Sequence, residues 1–92
     1  MWWVIVEEQR GGGDGRTWEV TKTKPAGGDR AHADEVARRL AFEHRPVHPS
    51  TVKERKVLRV GDGYLVIATG RTATFHFRVT LGETVAEPEV RA

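Results

Sequence analysis

The hydrophobic positions of this chain change period several times, and each change marks an element. Trp2 to Glu8 opens as a strand rich in β-branched and aromatic residues. Gln9 to Gly15, with its glycine run, is a hairpin loop. From Arg16 to Thr23 the pattern alternates, with Trp18 and Val20 on one side and Thr17, Glu19, Thr21 and Thr23 on the other, which predicts a half-buried second strand. The period then lengthens. Asp29 is a good N-cap for a helix reaching about His44, along which Ala33, Val36, Ala37, Leu40, Ala41 and His44 form one stripe. Arg45-Pro46 stops it, since proline disfavours helix in the residue before it.

Period two returns for the last three strands. Val52 to Val60 is the first; Gly61-Asp62-Gly63 is a tight turn. Tyr64 to Thr69 is apolar on both faces, as a central strand should be. Ala73 to Leu81 alternates, with Ala73, Phe75, Phe77, Val79 and Leu81 inward and Thr74, His76, Arg78 and Thr80 outward. The order is ββαβββ with short links between strands. That predicts a two-layer α+β domain, an antiparallel sheet with one amphipathic helix on one face. Residues 1–81 make the domain, and residues 82–92 read as a frayed acidic tail.

Size and composition narrow the partners. At 92 residues the chain fits one domain with a modest core, of stability about 5 to 10 kcal/mol. No cysteine is present, which excludes disulfides, thiolate metal sites and cysteine nucleophiles and favours a reducing cytoplasm. The apolar N-terminal run is too short for a signal peptide or a membrane span, so no membrane partner is expected. The net charge is only +2, but it is unevenly spread. Residues 45–80 carry seven basic and two acidic groups, whereas residues 1–44 carry seven and eight.

Most site chemistries fail on spacing. The Gly11–Gly15 loop lacks a Gly-Lys-Ser/Thr ending and leads into a strand, which removes the P-loop and the dinucleotide fingerprint. The four histidines form no metal-ligand spacing, and Pro46 keeps His44 and His48 off a common helix face. His44 reads as a partly buried residue near the helix end. Ser50 has His48 near it but no orienting acid, and Glu7-Glu8 reads as solvated charge. No catalytic residue, metal or cofactor is therefore assigned; an enzyme would need a cleft lined by His44 and His48.

Two positive signals remain. Lys53, Arg55, Val57 and Arg59 share one strand face, and His76 and Arg78 share another. If those faces coincide, with Leu58 and Val60 toward the helix, the cations form a stripe for nucleic-acid phosphates or another polyanion. The second signal is aromatic. Trp2 and Trp3 are neighbours, so one must face away from the helix, and Phe42 falls off the helix stripe. Exposed aromatics of this kind mark protein interfaces.

The stretches Thr21 to Pro25, Ala31 to His44, Pro46-Val47-His48-Pro49 and Arg55 to Val66 resemble small stand-alone proteins of unassigned function from GC-rich actinobacteria. The resemblance implies no activity and no site residues. The sequence thus reads as a small non-enzymatic protein-binding module, a homodimer or a binder of another protein, acting through the outer sheet face or the Trp2/Trp3 edge. The alternative is nucleic-acid or polyanion binding through the basic stripe.

Overall fold

The computed structural model describes residues 1–11 and 15–86 of the chain. Its elements are β1 (Trp2–Arg10), β2 (Thr17–Pro25), α1 (Arg30–Glu43), β3 (Glu54–Val60), β4 (Gly63–Thr69) and β5 (Thr74–Glu83). The five strands form one antiparallel sheet in the order β2-β1-β5-β4-β3, with α1 on one face, the two-layer α+β fold expected. The molecule is 20 Å thick, the depth of one helix on one sheet.

β2 and β3 are the two edges, so the chain must cross the whole sheet between them, a path the pattern alone left open. The helix runs along the strands: Arg30 lies near Trp2 and Asp62 at one end of the sheet, and His44 reaches Glu8 toward the other, so its length of about 21 Å matches the roughly 20 Å from Trp2 to Glu8. The loop after it completes the crossing, with Val47 at Glu8, His48 on Phe75, Pro49 on Gly70 and Lys53 at Thr69. Asp29 caps the helix, accepting from the Ala31 N–H at 3.0 Å, and the His44 N–H closes the last turn on the Leu40 carbonyl at 2.8 Å. Ala33, Ala37 and Ala41 are fully buried, and these small side chains let the helix lie close to the strands. Beneath them lie Val4 and Val6 of β1, Tyr64 and Val66 of β4, and Phe77 and Val79 of β5, with Trp2, Val36, Leu40, Val57 and Leu81 around the margin.

Register fixes which side chains share a face, because directly paired residues point the same way. Val6 pairs with Val79, Val79 with Tyr64, and Tyr64 with Arg59. Arg55, Val57 and Arg59 accordingly lie on the helix side of β3. Leu58 and Val60 point to the open side, the reverse of the placement the basic stripe required. An alternating strand has two possible assignments, and Val57 satisfies the core in this one.

β2 also departs from expectation. It is an edge strand that the helix does not reach, and all its residues but Thr21 are exposed. A bulge opposite Val6/Glu7 breaks its alternation: Val6 pairs with Lys22, but Glu7 pairs with Val20. Thr21 is the extra residue. Trp18, Val20 and Thr23 consequently share the open face, although a regular strand would put Thr23 opposite the other two.

The last strand runs two residues past Leu81. Gly82 and Glu83 pair with Trp3 and Trp2, and the Thr84 N–H donates to the Met1 carbonyl at 2.9 Å. The start of the expected tail is thus part of the sheet, while residues 87–92 lie outside the described residues. In the β3–β4 turn, Gly61 has φ +56 and no non-glycine residue has positive φ, the arrangement that puts glycine first in a two-residue hairpin. Among the described residues no helix is long and apolar enough to cross a membrane.

Candidate functional site

Three places gather chemistry: a polar cluster under the helix end, the open face of the sheet, and a cleft beside the loop after the helix.

The cluster is built on Glu8, which continues the inward row of Val4 and Val6 and is only 3% exposed. Its Oε2 accepts from the Thr21 hydroxyl and from His44 Nε2, each at 2.8 Å, and its Oε1 accepts from the Val47 N–H at 2.8 Å. The bulge in β2 is what turns Thr21 toward it. Burial alone would raise the Glu8 pKa. The hydrogen bonds from Val47, His44 and Thr21, with the charge of His44, outweigh that and hold it below the usual carboxylate value. An ionised carboxylate only accepts, so the proton of this pair sits on His44 Nε2. Arg55 completes the end of the helix. Its Nη1 donates to the Ala41 carbonyl at 3.0 Å and its Nη2 to the His44 carbonyl at 2.7 Å, placing a cation where the helix dipole is negative. Burial pushes the Arg55 pKa down from the ordinary arginine value.

This cluster is a clamp. Every Glu8 oxygen is engaged, and its partners come from β2, the helix end and the following loop. The reading of Glu7-Glu8 as solvated charge is therefore corrected for Glu8. The signal was present in the sequence: Glu8 extends the Val4-Val6 row, and His44 extends the helix stripe, so both lie on core-facing positions. His44 is bound to a carboxylate and does not line the cleft that holds His48.

The open face is the second region. β1 contributes Trp3, Ile5 and Glu7, β2 Trp18 and Val20, β5 His76 and Arg78, β4 Leu65 and Ile67, and β3 Leu58, Val60 and Lys56. Trp18, Val20, Leu58 and Val60 are 37%, 54%, 38% and 56% exposed. No helix covers them. At the centre Arg78 makes a two-pronged pair with Glu7, Nε to Oε1 at 2.9 Å and Nη2 to Oε2 at 3.1 Å, and its guanidinium lies 4.3 Å from the centre of the Trp18 ring. The Glu7 hydrogen bonds raise the Arg78 pKa. At one margin Trp3, Ile5 and Thr23 line a shallow apolar depression, where Trp3 Nε1–H donates to Thr84 Oγ1 at 2.8 Å.

The expected basic stripe is not assembled. Arg55 and Arg59 lie on the helix side, His76 and Arg78 on the open side, and Lys53 in the link before β3. Three of the four Lys and Arg side chains in that set are already engaged: Arg55 with the helix end, Arg59 with Asp34 at 2.9 Å, and Arg78 with Glu7. The aromatic candidates are dispersed too. Trp2 packs on the core, Trp3 lies on the open face, and Phe42 is 53% exposed on the solvent side of the helix, beside Arg38.

The third place is a cleft of about 570 Å³ between the loop after the helix and the β4–β5 turn, lined by His48, Ser50, Thr51, Lys53, Arg71 and Phe75 among others. Sequence reading missed it, because the turn and the loop are about 20 residues apart. Among the described residues no group of three or more His, Asp or Glu is placed to hold a metal. No family model matches the chain, and no curated protein and no solved structure shows significant similarity to it.

Proposed function

We propose that this chain is a protein-binding module whose open sheet face packs against the same face of a second copy. The observation that carries the reading is the uncovered face on which two apolar groups, Ile5 and Val20 on one side and Leu58, Val60, Leu65 and Ile67 on the other, flank the Glu7–Arg78 pair.

Three features favour a second copy as the occupant. The first is area. Strand spacing and rise give the face about 600–700 Å², close to the roughly 800 Å² per partner of a standard stable interface. The second is charge. The face carries Glu7 and Glu54 against Lys56 and Arg78, so it is neutral in sum and can meet itself without repulsion. The Glu7–Arg78 pair has its hydrogen bonds formed beforehand, which lowers the cost of covering it. The third is the state of the edges. β2 carries Lys22, Lys24 and Pro25, and β3 carries Glu54, Arg55, Lys56 and Arg59, which disfavour strand addition. Face-to-face packing about 10 Å apart remains.

Sedimentation velocity across a concentration series tests the reading. A dimer is expected for the natural chain, and a folded monomer for Ile67→Lys, which puts a charge in the middle of the contact. A natural chain that stays monomeric at high micromolar concentration would overturn it.

A further inference from the structure

The cleft beside the β4–β5 turn is a separate region, on the helix side of the sheet, and its chemistry differs from that of the open face. Its volume of about 570 Å³ lies within the range of small-molecule sites. Its walls are held in place. The Val47 N–H is bound to buried Glu8 at one end of the loop, and the Lys53 N–H to the Thr69 carbonyl at the other, each at 2.8 Å. Between them buried Pro49 sits on Gly70, so closely that a Cβ there would lie 2.5 Å from the proline Cβ. The turn itself is closed by the Gly70 N–H on the Ala73 carbonyl at 2.9 Å.

The lining has one sign of charge. Lys53 and Arg71 contribute two cations, and among the described residues no acidic side chain lines the cleft. Among the described residues neither cation has a carboxylate partner, unlike Arg10, Arg30, Arg59 and Arg78. Ser50, Thr51 and Thr72 add hydroxyl donors. At one wall the His48 ring stacks on Phe75, with centroids 5.3 Å apart and planes inclined by 29°. The Arg16 guanidinium lies 3.9 Å from the centre of the Phe75 ring and brings a third cation near. Like charges held together at a half-enclosed site repel each other, and a bound anion relieves that repulsion.

We propose that this cleft binds a small phosphomonoester, its phosphate held by Lys53, Arg71 and the hydroxyls and its carbon skeleton lying against the Phe75 and His48 rings. A phosphate dianion fits this set better than a carboxylate, since it offers three acceptor oxygens to donors that converge from two segments. The enclosure by loop and turn favours a small molecule over a nucleic-acid backbone.

The test is an amide-resonance titration of labelled protein with phenyl phosphate at constant ionic strength, with inorganic phosphate, phenol and a single-stranded oligonucleotide in parallel. Phenyl phosphate should shift residues 48–53 and 70–75 with saturation. Inorganic phosphate should shift the same residues with an affinity lower by about tenfold, and phenol should leave them in place. Lys53→Gln and Arg71→Gln, both at exposed positions, should each weaken phenyl phosphate binding by about five- to tenfold with the remaining spectrum unchanged. Absence of saturable shifts in the cleft, or equal binding by the double variant, would overturn the proposal. Tighter binding of the oligonucleotide at the same residues would overturn the small-molecule assignment.

Discussion

The two faces of this sheet are made of the same strands and similar residue types, yet they are finished differently. On the inner face the helix lays Ala33, Ala37 and Ala41 onto Val4, Val6, Val66, Phe77 and Val79, all of them fully buried. Polar groups there are tied down, Glu8 by three hydrogen bonds and Arg55 by two helix carbonyls. On the outer face Trp18, Val20, Leu58 and Val60 have no cover, and the polar groups pair across strands. The first face is a completed core, whose side chains bear on stability. The second has the composition of half an interface, whose side chains should bear on association and hardly on folding.

The largest expected effect lies on the inner face. Phe77→Ala removes a fully buried ring beneath the helix and should cost about 3–5 kcal/mol, measured by urea unfolding of the monomeric Ile67→Lys background. Removing Glu8 comes next. Glu8→Ala leaves the Val47 N–H and His44 Nε2–H without their acceptor and should cost about 2–4 kcal/mol.

Glu8 also gives the clamp a pH dependence of known sign. Its folded-state pKa lies below the unfolded value of about 4.3. The stabilisation is therefore complete above that value and is lost as pH falls through the folded-state value. Urea midpoints of the natural chain and of Glu8→Gln, measured from pH 7 to pH 3, should converge as pH falls. A constant gap would show that Glu8 binds its proton equally in both states.

A smaller effect is expected at the β3–β4 turn. Gly61→Ala places a side chain at φ +56 and should cost about 1 kcal/mol in urea unfolding. The smallest stability effect belongs to the outer face. In the same monomeric background Leu58→Ala should change stability by less than about 1 kcal/mol, although Leu58 is no smaller than the leucines of ordinary cores. In the natural chain it should weaken dimerisation about tenfold, read by sedimentation equilibrium. A Leu58→Ala cost as large as that of Phe77→Ala would erase the distinction between the faces.

Much of this architecture was legible in the sequence because it is local. The Asp29 cap, the alanine stripe, the Pro46 stop and the alternation from Thr74 to Leu81 each follow from spacing within one element. What was not legible depends on partners distant in sequence. The orientation of β3 is set by Val57 pairing with Val66, and an alternating strand carries no local mark of which face wins. The bulge at Thr21 arises from pairing with β1, and Glu8 reveals its burial only when His44, 36 residues away, reaches it. The cleft needed the loop after the helix to lie on Gly70, a contact without a sequence pattern. Adjacency required Trp2 and Trp3 to point to opposite faces, and the helical stripe left Phe42 outside it, but which tryptophan faces the helix follows only from the sheet order and register.

The most direct measurement is an isotope-filtered NOE experiment on a mixture of labelled and unlabelled protein. Contacts between molecules should join the methyl groups of Ile5, Val20, Leu65 and Ile67 to the same face of the other copy, and Ala33 and Ala37 should show none. Intermolecular contacts centred on Phe42 and the helix, or none from the open face at a concentration where the chain sediments as a dimer, would contradict the assignment of the open face as the interface.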